Sequence, residues 1–181
     1  MIAPYLLSAT VLLLILAAVW DVTTMTIPNW ISALAAALFP IAALTVSAPP
    51  AIIAFHIGFG AAVLLGCFFL FLAGVLGGGD AKLIPAAAVW IGAPDFATFA
   101  VIMALAGGAL AVTILAARRF ATPSDSHPAF VNRLLNRKGG IPYGVAIAAA
   151  FIWVYAHTEM GEFFANAAAR TELAGTIAPF L

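Results

Sequence analysis

Residues 51–82 read AIIAFHIGFGAAVLLGCFFLFLAGVLGGGDAK. The run from Ala51 to Leu76 holds no Asp, Glu, Lys or Arg and is long enough to cross a bilayer with some tilt. It stops at Gly77, Gly78 and Gly79, which are poor helix residues because they lose much backbone entropy and pack no side chain. Asp80 and Lys82 follow at once. The pattern predicts a helix end, a tight glycine turn, an exposed carboxylate and a new helix. An acid beside a membrane-length apolar segment is costly unless it has a partner or a task. What Asp80 meets is therefore the question that orders the rest of the chain.

Composition sets the solvent. Of the 181 residues, 65% are hydrophobic and 8% are charged. Soluble domains carry about 25% charged residues, so this chain cannot cover a soluble surface and the lipid bilayer is its expected partner. Zero net charge argues against nucleic acid. The single cysteine, Cys67, excludes an internal disulfide and a cysteine zinc cluster, and reads as a buried apolar thiol. Met1 to Trp20 lacks a basic start and a small-residue cleavage site, so it reads as a retained span rather than a signal peptide.

Taken in order, the chain predicts an all-α membrane protein of about six transmembrane helices. Span one is about Ile2–Trp20, and Asp21 to Asn29 is a polar connection in which Pro28 disfavours helix at Ile27. Span two is about Trp30–Val46, and span three Ala51–Leu76. Ala81–Gly92 is a short fourth span with Pro85 near its start, span five is Phe96–Ala117 and span six about Ile141–His157. Gly107 and Gly108 in span five invite close approach by a neighbouring helix. His56 reads as an interfacial or hydrogen-bonded histidine, and His127 as solvated. Residues 1–157 form one domain, and 158–181 a tail. In that tail Met160, Phe163, Phe164 and Ala167 share a helical face, which suits an amphipathic helix lying in the outer interface.

Charge orients the spans. Residues 118–140 hold Arg118, Arg119, Arg133, Arg137 and Lys138, five of the seven basic residues. The positive-inside rule puts this loop in the cytoplasm. Counting back puts both termini outside and both Asp21 and Asp80 at the cytoplasmic face. Nothing in that count was chosen to bring the two acids together.

Two aspartates brought close cannot both ionise easily: one keeps a proton while its partner stays charged. The charged one can take a proton from water as it attacks an amide carbonyl. The protonated one can hydrogen-bond the carbonyl oxygen and then assist the leaving amine. Such a pair titrates as a unit. Spacing alone, however, favours two solvated acids at the membrane edge, each capping a helix.

Three motifs tip the balance. Gly77-Gly78-Gly79-Asp80-Ala81-Lys82 resembles the Gly-x-Gly-Asp-x-Lys signature of type IV prepilin peptidases. Asp21 with Ile27-Pro28-Asn29 resembles that family's first catalytic aspartate and its downstream Ile-Pro-Asn. Ile141-Pro142-Tyr143-Gly144 resembles the Pro-Tyr/Phe-Gly element that opens its last span. The likeness is closest to the short enzymes of tight-adherence (Flp) pilus systems. It implies a membrane aspartyl endopeptidase of the bacterial inner membrane that removes the basic leader of Flp-type prepilins at the cytoplasmic face. Asp21 and Asp80 would be the catalytic dyad. Gly77, Gly79, Lys82, Pro28, Asn29, Pro142 and Gly144 would support the site or the substrate. Lys82 would tune the dyad, bind a substrate carboxylate or snorkel to lipid phosphate.

The longer members of the family carry an extra zinc-holding cytoplasmic domain and also methylate the new N-terminus with S-adenosylmethionine. Here Asp21 to Asn29 is too short for such a domain, and residues 118–140 contain no glycine-rich turn after a strand pattern to cradle the cofactor. The expectation is a peptidase with no methyltransferase activity, no metal and no cofactor. Two other classes compete: a proton-relay transporter subunit, which would want acids deep inside spans, and a non-catalytic component of a pilus or secretion system, which would tolerate Asp80→Asn.

Overall fold

A computed structural model describes residues 2–137, 139–157, 162 and 166. Among these the chain is all helical: α1 (Ala3–Thr24), α2 (Asn29–Thr45), α3 (Pro50–Leu72), α4 (Asp80–Ile91), α5 (Ala93–Phe120), α6 (Ala129–Leu135) and α7 (Gly144–Tyr155). Three of them, α1, α3 and α5, are long and apolar enough to cross a membrane. Their outward faces carry the exposed large apolar side chains, such as Leu12, Phe69 and Leu105, as expected for helices solvated by lipid. The protein is a membrane protein. The predicted tail helix, with Met160, Phe163, Phe164 and Ala167, lies outside the described residues.

The short helix α4 is the axis of the fold. Every residue from Leu83 to Ile91 is buried, against α2, α3, α5 and α7. Its 12 residues reach about 18 Å at 1.5 Å each, well short of a hydrocarbon core of about 30 Å. Burial removes the conflict, because Leu83 to Ile91 meet protein rather than lipid. Trp90 is fully buried and its Nε1 donates to Ala35 O of α2 at 2.8 Å. His56 of α3 hydrogen-bonds Val89 O through Nδ1 at 2.8 Å and stacks on Phe39. That carbonyl lies in the last turn of α4, where no intrahelical donor is left for it. His56 is thus the hydrogen-bonded histidine of the sequence reading. Cys67 is buried, also as expected.

Several boundaries differ from the sequence reading. Span three was expected to run to Leu76, with the triple glycine ending it. The helix stops at Leu72 instead, and Gly74 ends it: at φ +72° it lets Val75 N–H reach Leu70 O and its own N–H reach Phe71 O. That pair of bonds satisfies the orphan carbonyls at the helix end. Asp21 was placed in the loop after span one, yet α1 continues through it to Thr24 and closes at Met25, φ +56°. Pro85 sits in the second turn of α4 rather than its first, on the side that Gly60 of α3 approaches. A Cβ on Gly60 would collide with the Val89 side chain. In α5 only Gly107 serves close approach, against the Tyr143 ring; Gly108 faces open space.

Candidate functional site

Asp21 and Asp80 come to one end of the bundle from different directions. Asp21, in the last turn of α1, is only 7% exposed. Its Oδ2 accepts the N–H of Gly144 at 2.8 Å. Gly144 is the first residue of α7, so this donor is one of the orphan N–H groups at a helix start, where negative charge is also favoured by the helix dipole. Asp80 opens α4 and is half-buried, not exposed as the sequence pattern suggested. Ile27 packs against Gly79, next to Asp80, and against Gly144, which donates to Asp21. Its side chain lies 3.1 Å from where a Cβ on Gly79 would be and 3.2 Å from where one on Gly144 would be.

The glycines of the motif have a local reason. A Cβ on Gly77 would stand 3.0 Å from Asp80 Oδ2, and one on Gly144 3.1 Å from Asp21 Oδ2. Those contacts are tighter than side chains ordinarily make. Gly77 and Gly79 also start α4, their carbonyls accepting the N–H groups of Ala81 and of Lys82 and Leu83. Gly77, Gly79 and Gly144 therefore leave room for the two carboxylates and for Ile27.

Lys82 turns away from the acids. Two residues apart on a helix, Asp80 and Lys82 do not share a face. Lys82 Nζ donates to Asn29 Oδ1 of α2 at 2.7 Å, so two predicted support residues meet each other rather than the acids. They stand at the rim of a cavity of about 470 Å³ between α2, α3 and α4. Its floor is small and apolar, with Ala33, Ala36, Gly60 and Ala61. Ser32 also lines it. That residue is 5% exposed, and its Oγ has no hydrogen-bond partner among the described residues. Pro28 caps α2 in extended backbone, and Pro142 is buried just ahead of α7.

Asp80 is the first residue of α4, outside the three long apolar helices. Burial first, and the negative charge of Asp21 second, push its carboxyl up to about 7. Below that pH Asp80 holds its proton, and above it Asp80 is charged within reach of the charge of Asp21. A reaction that needs one acid and one base is then expected to slow as pH rises through about 7. Initial cleavage rates of the detergent-solubilised protein across a neutral-to-alkaline series check this, and a flat profile would contradict it.

Sequence reasoning missed two residues that shape this end of the bundle. Ser32 gave no signal, being one small polar residue in an apolar run. Arg118 was read only as part of the charged loop, yet it is 6% exposed and hydrogen-bonded to the backbone.

The sequence model of the type IV leader peptidase family matches residues 8–112, more than half of the chain and a range that includes both aspartates. No curated protein and no solved structure matches.

Proposed function

The chain belongs to the type IV leader peptidase family, and from that premise we propose that it is an aspartyl endopeptidase whose dyad is Asp21 and Asp80. The observation that supports the assignment is that Asp21 and Asp80 lie at one end of the bundle, near enough for the charge of Asp21 to bear on Asp80, with the Gly144 N–H on Asp21. In the reaction, the ionised member of the pair takes a proton from water as the water oxygen attacks the scissile carbonyl. The protonated member hydrogen-bonds the carbonyl oxygen. Collapse of the tetrahedral intermediate then sends a proton to the leaving amine. The substrate class is a Flp-type prepilin, cut after a glycine at the end of its basic leader. The six-pass arrangement, with this end of the bundle at the cytoplasmic face of the bacterial inner membrane, fits such a substrate. A cationic leader stays inside and the apolar segment after it lies in the bilayer.

The cavity beside Lys82 and Asn29 runs from the dyad end of α4 to Val89, along the direction an apolar substrate segment would follow. Its alanines and Gly60 suit close contact between helices in lipid. Co-expression tests the function: membranes with the protein should shorten a Flp-type prepilin on a gel, and an unshortened precursor would count against it.

The peptidase is also proposed to lack methyltransferase activity. Only Met25 to Pro28 separate α1 from α2, which leaves no room there for a further domain. Mass spectrometry of pilin cleaved in the presence of S-adenosylmethionine should show a free, unmodified N-terminal amine. A mass gain of one methyl group that depends on this protein would contradict that, and chelators should leave cleavage unchanged.

A further inference from the structure

Arg118 and Arg119 close α5 side by side, and by the charge rule for loops the two are equivalent. Their surroundings are not. Arg119 is exposed, whereas Arg118 is buried. Arg118 Nε donates to Leu134 O at 2.7 Å and its Nη2 to Gly140 O at 2.8 Å. Leu134 lies in the last turn of α6, and Gly140 lies midway along the link 136–143 that leads to α7. Gly139 packs into the same knot: a Cβ there would stand 2.9 Å from Arg133 O and 3.4 Å from Arg118 Nη2. From Gly140 the chain runs through Ile141, Pro142 and Tyr143 to Gly144. Pro142 stiffens that stretch by fixing its own φ, and the Tyr143 ring rests against Gly107 of α5. The Gly144 N–H then reaches Asp21.

We propose that Arg118 is a positioning residue for the proposed dyad: by holding Leu134 O and Gly140 O it fixes the approach to α7, and so the Gly144 N–H on the Asp21 carboxylate. A guanidinium suits this task because its rigid fork serves two acceptors at once, while an ammonium is a single flexible point charge. The inference rests on the peptidase reading only for its kinetic consequence; the positioning itself is independent of it.

Arg118→Lys and Arg119→Lys both keep the loop's charge, and so its topology signal. Arg118→Lys is expected to slow prepilin cleavage about tenfold through loss of charge-assisted hydrogen bonds. It should also move the acid limb of the pH–rate profile to higher pH, because the ionised Asp21, faced by a protonated Asp80, has lost a fixed N–H donor. Arg119→Lys should match the wild type in both. A mere loss of folded protein would lower the rate without moving the limb. The two variants behaving alike, or a slower Arg118→Lys with an unmoved limb, would overturn the proposal. Hydrogen exchange in micelles separates this from the peptidase reading. Should the wild type cleave nothing, that reading fails, and the amides of residues 140–144 decide the positioning. Faster exchange there in Arg118→Lys alone, with α1 and α4 unchanged, supports it, and unchanged exchange overturns it.

Discussion

Asp21→Asn and Asp80→Asn are each expected to lower prepilin cleavage by about a thousandfold or more, the scale of losing general acid–base catalysis, while the protein still inserts. An amide is the same size as the acid it replaces, so packing around Ile27 and α4 is kept. In Asp21→Asn the side-chain oxygen can still accept the Gly144 N–H, which leaves the junction of α1 and α7 intact. What is lost is the proton chemistry: an amide neither takes a proton from water nor shares one. The controls are Asp95→Asn, in the first turn of α5, and Asp125→Asn, in the loop after it, both of which should cleave at the wild-type rate. Near-normal cleavage by either dyad variant would remove that residue from the reaction.

Gly144→Ala carries the second large effect. The added methyl would lie 3.1 Å from Asp21 Oδ2, and 3.2 Å from both Asp21 Cβ and Ile27 Cδ1. The carboxylate alone can rotate, but Asp21 Cβ is fixed to the α1 backbone. Relief therefore requires α1 and α7 to part by a few tenths of an ångström. That moves a reacting group, and a misplacement on the scale of 1 Å can cost about a hundredfold in rate. Alanine is the better helix former, so α7 itself should not suffer. Gly108→Ala, with nothing within 4 Å of its new methyl, should leave the rate unchanged. Equal rates for the two variants, measured on protein matched for membrane insertion, would mean that the contact between Gly144 and Asp21 is slack.

Much of this site was legible in the sequence because chemistry in a membrane is conspicuous there. Asp21 and Asp80 stand out among very few charges, and the triple glycine stands out at the end of an apolar run. What the sequence could not give was the reason for each glycine. Gly74 ends α3 because it alone in that turn takes a positive φ, whereas Gly77 and Gly79 are small because Asp80 and Ile27 lie against them. A one-dimensional pattern treats all of these as one turn. The outward faces of α1, α3 and α5 hid their partners for a related reason. In lipid both faces of a helix are apolar, so periodicity does not mark the buried side. The central place of α4 is not legible either: Ala81–Gly92 reads only as a short fourth span, and its burial shows in the structure alone. From the sequence, Lys82 reads as tuning the dyad, binding a substrate carboxylate or snorkelling to lipid phosphate, and Arg118 as one of the loop's topology charges. One is held by Asn29 and the other by two backbone carbonyls, contacts between residues far apart in the chain that spacing does not reveal.

The central claim is that this chain by itself cuts a leader from a pilin-like precursor. The direct measurement is mass spectrometry of a synthetic peptide that joins a Flp-type basic leader to its apolar segment, incubated with the purified protein in detergent micelles. The account predicts two products from a single cut after the leader's final glycine, absent when Asp21→Asn or Asp80→Asn protein is used. A peptide that stays intact with well-folded wild-type protein, or one cut equally by the wild type and both variants, would contradict it.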